Sequence, residues 1–199
     1  MKSILKHFLR RAGLVKSLKL PEFLVLGTQK GGTTSLHHLL KKHPGIFLPD
    51  VKEVHYFSQN YSKSLEWYSD HYAKASTDQL KGDITPFYLY HISAPARINS
   101  TLPNAKLIVL LRDPVERTLS QYFHAKRNGY ETLDLLSALR IEEKRLYGVE
   151  ELVLEQGVNH YSYQKHSYIS RSRYECQLNR YREYFRDNQL LVLKSEDFF

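Results

Sequence analysis

The chain has 199 residues, which gives room for one domain of ordinary size. Apolar residues make up 42% and charged residues 25%, so a packed core is possible and wholesale disorder is excluded. The single cysteine, Cys176, excludes an internal disulfide and any zinc site built on two or more thiolates. Apolar runs are no longer than residues 107–111, far short of the roughly 20 residues of a membrane-spanning helix.

The charge balance points to anionic partners. Lysine and arginine number 29 against 21 acids, a formal net charge of +8. No helix-turn-helix, zinc-finger or RNA-recognition pattern supports a nucleic acid as that partner. Residues 1–20 are basic and carry no acid, which predicts an N-terminal arm in contact with solvent or a membrane surface. This arm lacks the apolar segment and cleavage site of a secretory signal, so the sequence predicts a cytoplasmic protein.

The first half of the chain predicts two strands, each followed by a helix. Residues 23–26 form an apolar run that stops at Gly27, a pattern typical of a buried parallel strand. A helix is predicted over 35–42, where a His-Pro pair ends it. A short strand over 46–48 and an amphipathic helix over 64–72 follow.

The second half continues the alternation. The apolar run 107–111 predicts a buried strand, and Asp113 followed by Pro114 predicts a capped helix that continues to about residue 127. Two helices and a buried strand are predicted after it, over 132–147, 172–186 and 190–193. Strands that alternate with helices predict an α/β fold with a mainly parallel sheet.

The end of the chain has the pattern of a helix cap with no helix behind it, over residues 195–197. We therefore expect residues 21–199 to form one domain that lacks its C-terminal portion. A naturally short tail is the alternative.

A glycine- and threonine-rich segment, residues 27–35, lies between a predicted strand and a predicted helix. In that position the free N–H groups at the helix start and the positive end of the helix dipole form an anion site. The residues expected to bind the anion are one lysine, two glycines that let it approach the backbone, and three residues with hydroxyl groups: Lys30, Gly31, Gly32, Thr33, Thr34 and Ser35.

This segment differs from the phosphate loop of nucleoside triphosphatases. Gly27 and Gly32 have the spacing of that motif, but Thr33 stands where the motif needs lysine. No strand ends in a clear magnesium-binding aspartate either, so ATP or GTP hydrolysis loses support. A phosphate-like group remains the expected ligand.

Four blocks of the sequence resemble one family. FLVLGTQKGGTTSL (23–36) resembles the 5′-phosphosulfate loop of sulfotransferases that use 3′-phosphoadenosine 5′-phosphosulfate (PAPS), and LIVLLRDPVERTLS (107–120) resembles their 3′-phosphate segment. KEVHYF (52–57) is similar to the catalytic stretch of heparan sulfate sulfotransferases and their bacterial relatives. YECQLNRYREYF (174–185) is similar to a later helix of that family. The resemblance implies a P-loop-like, three-layer fold with helices on both sides of the sheet.

The resemblance assigns the donor site. It implies PAPS as the donor, with Lys30 stabilising the leaving phosphate. Arg112, at the carboxyl end of a strand, would bind the 3′-phosphate with its forked guanidinium, and Ser120 would add a hydroxyl. A surface ion pair with Asp113 or Glu116 is the alternative for Arg112. No metal is expected, because these cations and the loop amides supply the positive charge.

The resemblance also implies that Glu53 is the general base, which takes the proton of the attacking acceptor. His55 follows at i+2, so on an extended segment both side chains point the same way. His55 is then a second acid/base group or a residue that orients the substrate. An ordinary structural histidine is the alternative.

One motif departs from the family pattern. Heparan sulfate enzymes carry Glu-Lys-(Ser/Thr)-x-x-Tyr after the base, but here Ile84 stands at the lysine position. The role of that lysine cannot be carried over, whereas Asp83 is expected to keep the acidic role. A heparan-like acceptor therefore loses support, while sulfuryl transfer does not. The family's later glycine-rich and basic loop has no equivalent in the sequence.

The sequence as a whole predicts an enzyme that moves a sulfuryl group from PAPS to a hydroxyl or amino group, with a carbohydrate as the expected acceptor. The alternative is a non-catalytic relative that binds a nucleotide or a sulfated glycan.

Overall fold

The computed structural model describes residues 17–157 and 159–198. Its five strands are β1 (Phe23–Gly27), β2 (Ile46–Phe47), β3 (Leu80–Ile84), β4 (Lys106–Leu111) and β5 (Leu190–Lys194). They form one sheet in the order β2-β3-β1-β4-β5, and every pairing is parallel. The predicted α/β class with a parallel sheet is therefore confirmed.

The helices in chain order are α1 (Thr33–Lys41), α2 (Leu65–Asp70), α3 (Ala94–Thr101), α4 (Pro114–Arg127), α5 (Leu135–Arg140), α6 (Glu142–Leu146), α7 (Val149–Gln156), α8 (Tyr161–Lys165) and α9 (Tyr174–Arg182). The helices predicted over 35–42, 64–72 and 114–127 are confirmed to within a few residues. The helix predicted over 132–147 is instead two short helices that meet at Ile141. Strand β3 and helices α3, α7 and α8 were not predicted.

The core lies on both faces of the central strand. Leu24 and Leu26 of β1 pack into a cluster rich in tyrosine and phenylalanine on one face, whereas Val25 packs on the other, beside Ile84 and Leu110. Helix α1 covers that second face with partly buried leucines. Burial on both faces is the usual state of a parallel strand.

Strand β5 forms where predicted, but the prediction that it is buried is wrong. Leu191 is 52% exposed and Val192 37% exposed. These side chains are exposed because β5 pairs with β4 alone and forms an edge of the described sheet. Apolar composition alone does not distinguish such an edge from a central strand.

The predicted basic arm lies mostly outside the described residues, since only 17–20 of it are described. Lys19 is held there by hydrogen bonds from its ammonium to the carbonyls of Ala73 and Ala75. The boundary at residue 20 remains a prediction. Within the described part of the chain, none of the helices has the length and apolar character to cross a membrane.

Candidate active site at the carboxyl edge of the sheet

The turn from β1 into α1 presents backbone amides. Helix α1 begins after Gly32, whose φ is 88°, and no side chain caps it. The first N–H groups of a helix have no partner inside the helix, so the N–H groups at the start of α1 are available to a ligand. A Cβ on Gly31 would lie 2.7 Å from Cγ2 of Thr28 and 2.8 Å from the Leu110 carbonyl oxygen, so the loop needs glycine at this position.

The turn from β4 into α4 is built differently. The carboxylate of Asp113 accepts hydrogen bonds from the N–H groups of Val115 and Glu116, at 3.0 and 2.9 Å. The helix start is therefore already satisfied, and side chains must do any binding. Arg112 donates to the Lys30 carbonyl oxygen and to Glu116, both at 3.3 Å. The surface ion pair between Arg112 and Glu116 is therefore present. The Arg112 guanidinium also contacts the loop that carries Lys30.

A 3₁₀ turn over Ser195–Asp197 contacts both junctions. The Ser195 hydroxyl donates to the Gly31 carbonyl oxygen at 3.0 Å. The Glu196 carboxylate accepts the N–H of Asp113 at 2.8 Å. Residues 195–197, which resemble a cap in sequence, thus connect the two turns to each other.

The third segment of the site carries Glu53 and His55. A Glu53 oxygen lies 3.5 Å from Nε2 of His55, and the other lies 3.6 Å from the Lys52 ammonium. Nδ1 of His55 is 3.0 Å from the Ser58 hydroxyl, which fixes the ring. Both Glu53 and His55 have left-handed backbone, with φ of 61° and 56°, as does Lys30 with φ of 69°. Such non-glycine residues are uncommon, and they concentrate at functional sites.

The charges in the site influence one another. Burial alone would raise the pKa of Glu53, but the hydrogen bond and charge of His55, together with Lys52, outweigh it and lower that pKa. The pKa of Lys30 is also lowered, first by burial and then by the positive charges of Arg127, Arg112 and Lys52. Glu53 is therefore ionised at neutral pH, and the surrounding excess of cations favours a bound anion.

These segments meet around one cleft of about 380 Å³. The predicted site residues that line it are Lys30, Gly32, Thr33, Thr34, Glu53, Arg112 and Ser120. Three predicted residues do not line it: Gly31, Ser35 and His55. Gly31 packs closely against Thr28 and the carbonyl of Leu110. His55 lines a second recess, which Glu53 also lines. In the described ranges, no group of three acidic, histidine or cysteine side chains could hold a metal ion.

Three polar residues of the cleft were not predicted from the sequence, namely Gln29, Lys52 and His124. The Lys52 ammonium donates to the Thr34 hydroxyl at 2.7 Å and so joins the Glu53 segment to the start of α1. His124 follows Ser120 by one helical turn, and this i+4 spacing was the signal available in the sequence. Burial and then the charges of Lys30, Arg127 and Lys165 lower its pKa.

Asp83 lies in the core instead of in the cleft, although an acidic role in the site was expected. It is 1% exposed and accepts hydrogen bonds from Tyr68, Thr85 and Tyr88 at 2.7 to 2.9 Å. Burial raises its pKa, and these three hydrogen bonds oppose the increase. The Thr85 hydroxyl also lies 3.5 Å from the His55 amide. Asp83 is therefore connected through Thr85 to the segment that carries Glu53 and His55.

Comparisons with known proteins agree on one family. A model of the sulfotransferase domain matches residues 20–199. The membrane-associated sulfotransferase kil1 of Dictyostelium discoideum is 49% identical over 110 residues, which cover 54% of this chain and 23% of that protein. The human heparan sulfate glucosamine 3-O-sulfotransferase 3B1 is 37% identical over 123 residues, which cover 61% of this chain and 31% of that protein. The chain thus spans less than a third of either relative.

The fold has close counterparts among solved structures. The crystal structure of a sulfotransferase from Alicyclobacillus acidocaldarius superposes with a TM-score of 0.76 at 28% identity, covering 91% of this chain and 75% of that one. A sulfotransferase domain from the curacin biosynthetic pathway has a TM-score of 0.53 at 15% identity, a likeness of fold alone.

Proposed function

Since the chain belongs to the sulfotransferase family, we propose that it transfers a sulfuryl group from PAPS to a hydroxyl or amino group of a carbohydrate. The observation that carries the proposal is the cleft itself. It combines an uncapped helix start, the three cations Lys30, Lys52 and Arg112, and a single ionised carboxylate, Glu53. The acceptor class is supported by the heparan sulfate relative described above.

The two ends of the donor fit the two junctions. The amides at the start of α1 and the Lys30 ammonium suit the 5′-phosphosulfate, because both present positive charge without a carboxylate between them. Arg112 and Ser120 suit the 3′-phosphate, since a guanidinium can bind two phosphate oxygens at once. We infer that Lys52 increases the positive potential of this cleft, whereas His124, whose pKa is lowered, lines it as a neutral hydrogen-bonding group.

The transfer step follows from these positions. Glu53 accepts the proton of the acceptor hydroxyl or amine while that oxygen or nitrogen bonds to sulfur. The bond from sulfur to the 5′-phosphate oxygen breaks, and adenosine 3′,5′-bisphosphate leaves with the electron pair. Lys30 neutralises the charge that develops on this leaving oxygen. His55 orients the Glu53 carboxylate and stabilises its ionised form.

Two measurements test the proposal. Calorimetric titration with adenosine 3′,5′-bisphosphate is expected to give one site per chain, and ³⁵S-labelled PAPS is expected to label an oligosaccharide acceptor. Absence of nucleotide binding would contradict the proposal. Binding without transfer to any acceptor would favour the non-catalytic relative instead. A cytoplasmic location stays a prediction of the sequence, and the Dictyostelium relative is named as membrane-associated.

A further inference from the structure

A second recess of about 100 Å³ adjoins the cleft. The two spaces share Gln29, Glu53 and Pro86 in their walls, so Glu53 borders both of them. Its remaining walls include His55, Gln59, Phe87, Gln164 and Lys165. Space for about three water-sized groups is enough for a reacting group and one neighbouring substituent.

Lys165 supplies a positive charge to this recess. Its ammonium lies 4.2 Å from the centre of the Tyr130 ring, a cation–π contact, and it has no ion-pair partner among the described residues. The charge of Lys165 also lowers the pKa of His124, which lines the first cleft. A cation without a carboxylate partner, beside a catalytic base, favours an anionic group on the ligand.

Arg171 fixes this wall of the recess relative to the donor loop. It is 3% exposed and donates to the backbone carbonyls of Tyr163 and Gln164 in α8, at 3.0 and 2.8 Å, and to the Gln29 side chain. Burial lowers its pKa to about 10, so it remains charged at neutral pH. One buried guanidinium thus ties the end of α8, where Lys165 lies, to the loop that carries Lys30.

We propose that this recess receives the acceptor and that Lys165 selects acceptors with a carboxylate or sulfate next to the group that is sulfated. The inference rests on the proposed function and adds the residue that determines acceptor choice. The amides of Gln59 and Gln164 donate and accept hydrogen bonds, as neighbouring sugar hydroxyls require. The Phe87 ring forms an apolar wall, 6.1 Å from the His55 ring between their centres.

The experiment measures binding to the full chain saturated with adenosine 3′,5′-bisphosphate, so that it does not depend on turnover. The probes are a hexasaccharide of alternating N-acetylglucosamine and glucuronate, its carboxyl-reduced form, and the carboxyl-reduced form carrying N-sulfates. The variants are Lys165→Ala and Lys165→Arg, with Lys144→Ala as a control that removes an equal charge from α6.

We expect the wild type to bind at least one anionic probe about tenfold more tightly than the neutral probe, the scale of a charge-assisted hydrogen bond. Lys165→Ala should abolish that preference, whereas Lys165→Arg and Lys144→Ala should retain it. The probe that shows the effect distinguishes carboxylate from sulfate.

Three results would overturn the inference while leaving the proposed function intact. These are equal binding of all probes, no probe binding at all, or a preference that survives in Lys165→Ala. A fall in kcat with the neutral acceptor in Lys165→Ala would assign the residue to the donor and would also overturn it. Failure of the proposed function is distinguishable, because the chain would then either not bind adenosine 3′,5′-bisphosphate in the first step or transfer no sulfuryl group from PAPS to any acceptor.

Discussion

Two junctions between a strand and a helix lie side by side at the same edge of the sheet. They differ in whether a side chain caps the start of the helix. At the end of β1, helix α1 starts without a side-chain cap, and Lys30 and Gly32 both have left-handed backbone. At the end of β4, Asp113 caps helix α4 and occupies two of its first N–H groups. The first junction therefore offers backbone amides to a ligand, whereas the second offers the side chain of Arg112.

The difference gives the two junctions two different means of binding the anion that we propose for each. An uncapped helix start uses groups that have no partner inside the helix and adds the helix dipole, but it needs glycine to let the ligand approach. A capped helix start is stable by itself and leaves recognition to a long side chain. We expect the first arrangement to serve the reacting end of the donor and the second to anchor its other end.

The largest effect is expected for Glu53, which faces the first junction. Glu53→Gln keeps the shape of the side chain but cannot accept a proton, so kcat should fall by roughly 10²- to 10⁴-fold. Affinity for adenosine 3′,5′-bisphosphate should stay within about 1 kcal/mol of wild type, because the donor anions contact other groups. Single-turnover kinetics and calorimetry measure the two quantities. Turnover like that of wild type would assign the base to His55 instead.

Lys30→Ala tests the first junction itself. If Lys30 neutralises the leaving phosphate, kcat should fall by about 10²- to 10³-fold, the cost of losing one preorganised donor to a developing charge. Lys41→Ala, at the C-terminal end of helix α1, which follows the loop of Lys30, is the matched control and should leave kcat unchanged. A loss confined to donor affinity would show that both junctions only anchor the donor and that neither acts on the reacting end.

Arg112→Ala tests the second junction. We expect affinity for adenosine 3′,5′-bisphosphate to weaken by about 1.5–3 kcal/mol, the contribution of a hydrogen bond between charged groups. The kcat at saturating PAPS should change much less than in Lys30→Ala. Glu116→Gln removes the partner of Arg112 and serves as the control. If Arg112 acts only in that surface pair, both variants will bind the nucleotide as tightly as wild type does.

The smallest effect is expected for the cap. Asp113→Ala should lower the free energy of unfolding by about 1 kcal/mol, as loss of a helix N-cap usually does. Asp134→Ala removes the corresponding cap of α5, where Asp134 accepts the N–H of Ser137 at 3.0 Å, and should cost about the same. Chemical denaturation measures both. A change in nucleotide affinity in Asp113→Ala alone would mean that the backbone of α4 also contacts the ligand.

The two junctions were predictable because local sequence determines them. The apolar runs before Gly27 and Arg112 predict strands, and Asp113 with Pro114 predicts the cap that forms. Strand β3 was missed because its sequence, LKGDI, interrupts the apolar pattern with Asp83. That carboxylate is tolerated in the core only because hydroxyls from separate elements reach it, and no local pattern encodes this.

The lining of the cleft was predictable where one segment carries its own motif, as for Lys30, Glu53 and Arg112. It was not predictable where distant elements converge. Lys165 reaches the Glu53 region from α8, more than 100 positions later in the chain, and its place there depends on the buried contacts of Arg171. Lone lysines and arginines occur throughout a basic sequence, so their positions follow from packing alone.

The turn that joins both junctions also gives the protein an internal reporter. The Asp113 amide donates its proton to Glu196, while the neighbouring Ser195 holds the Gly31 carbonyl. Hydrogen exchange at this one amide therefore requires the contact between Glu196 and Asp113 to break. Exchange of a single backbone proton thus reports on a contact that joins the turn to the second junction, without any label attached to a ligand.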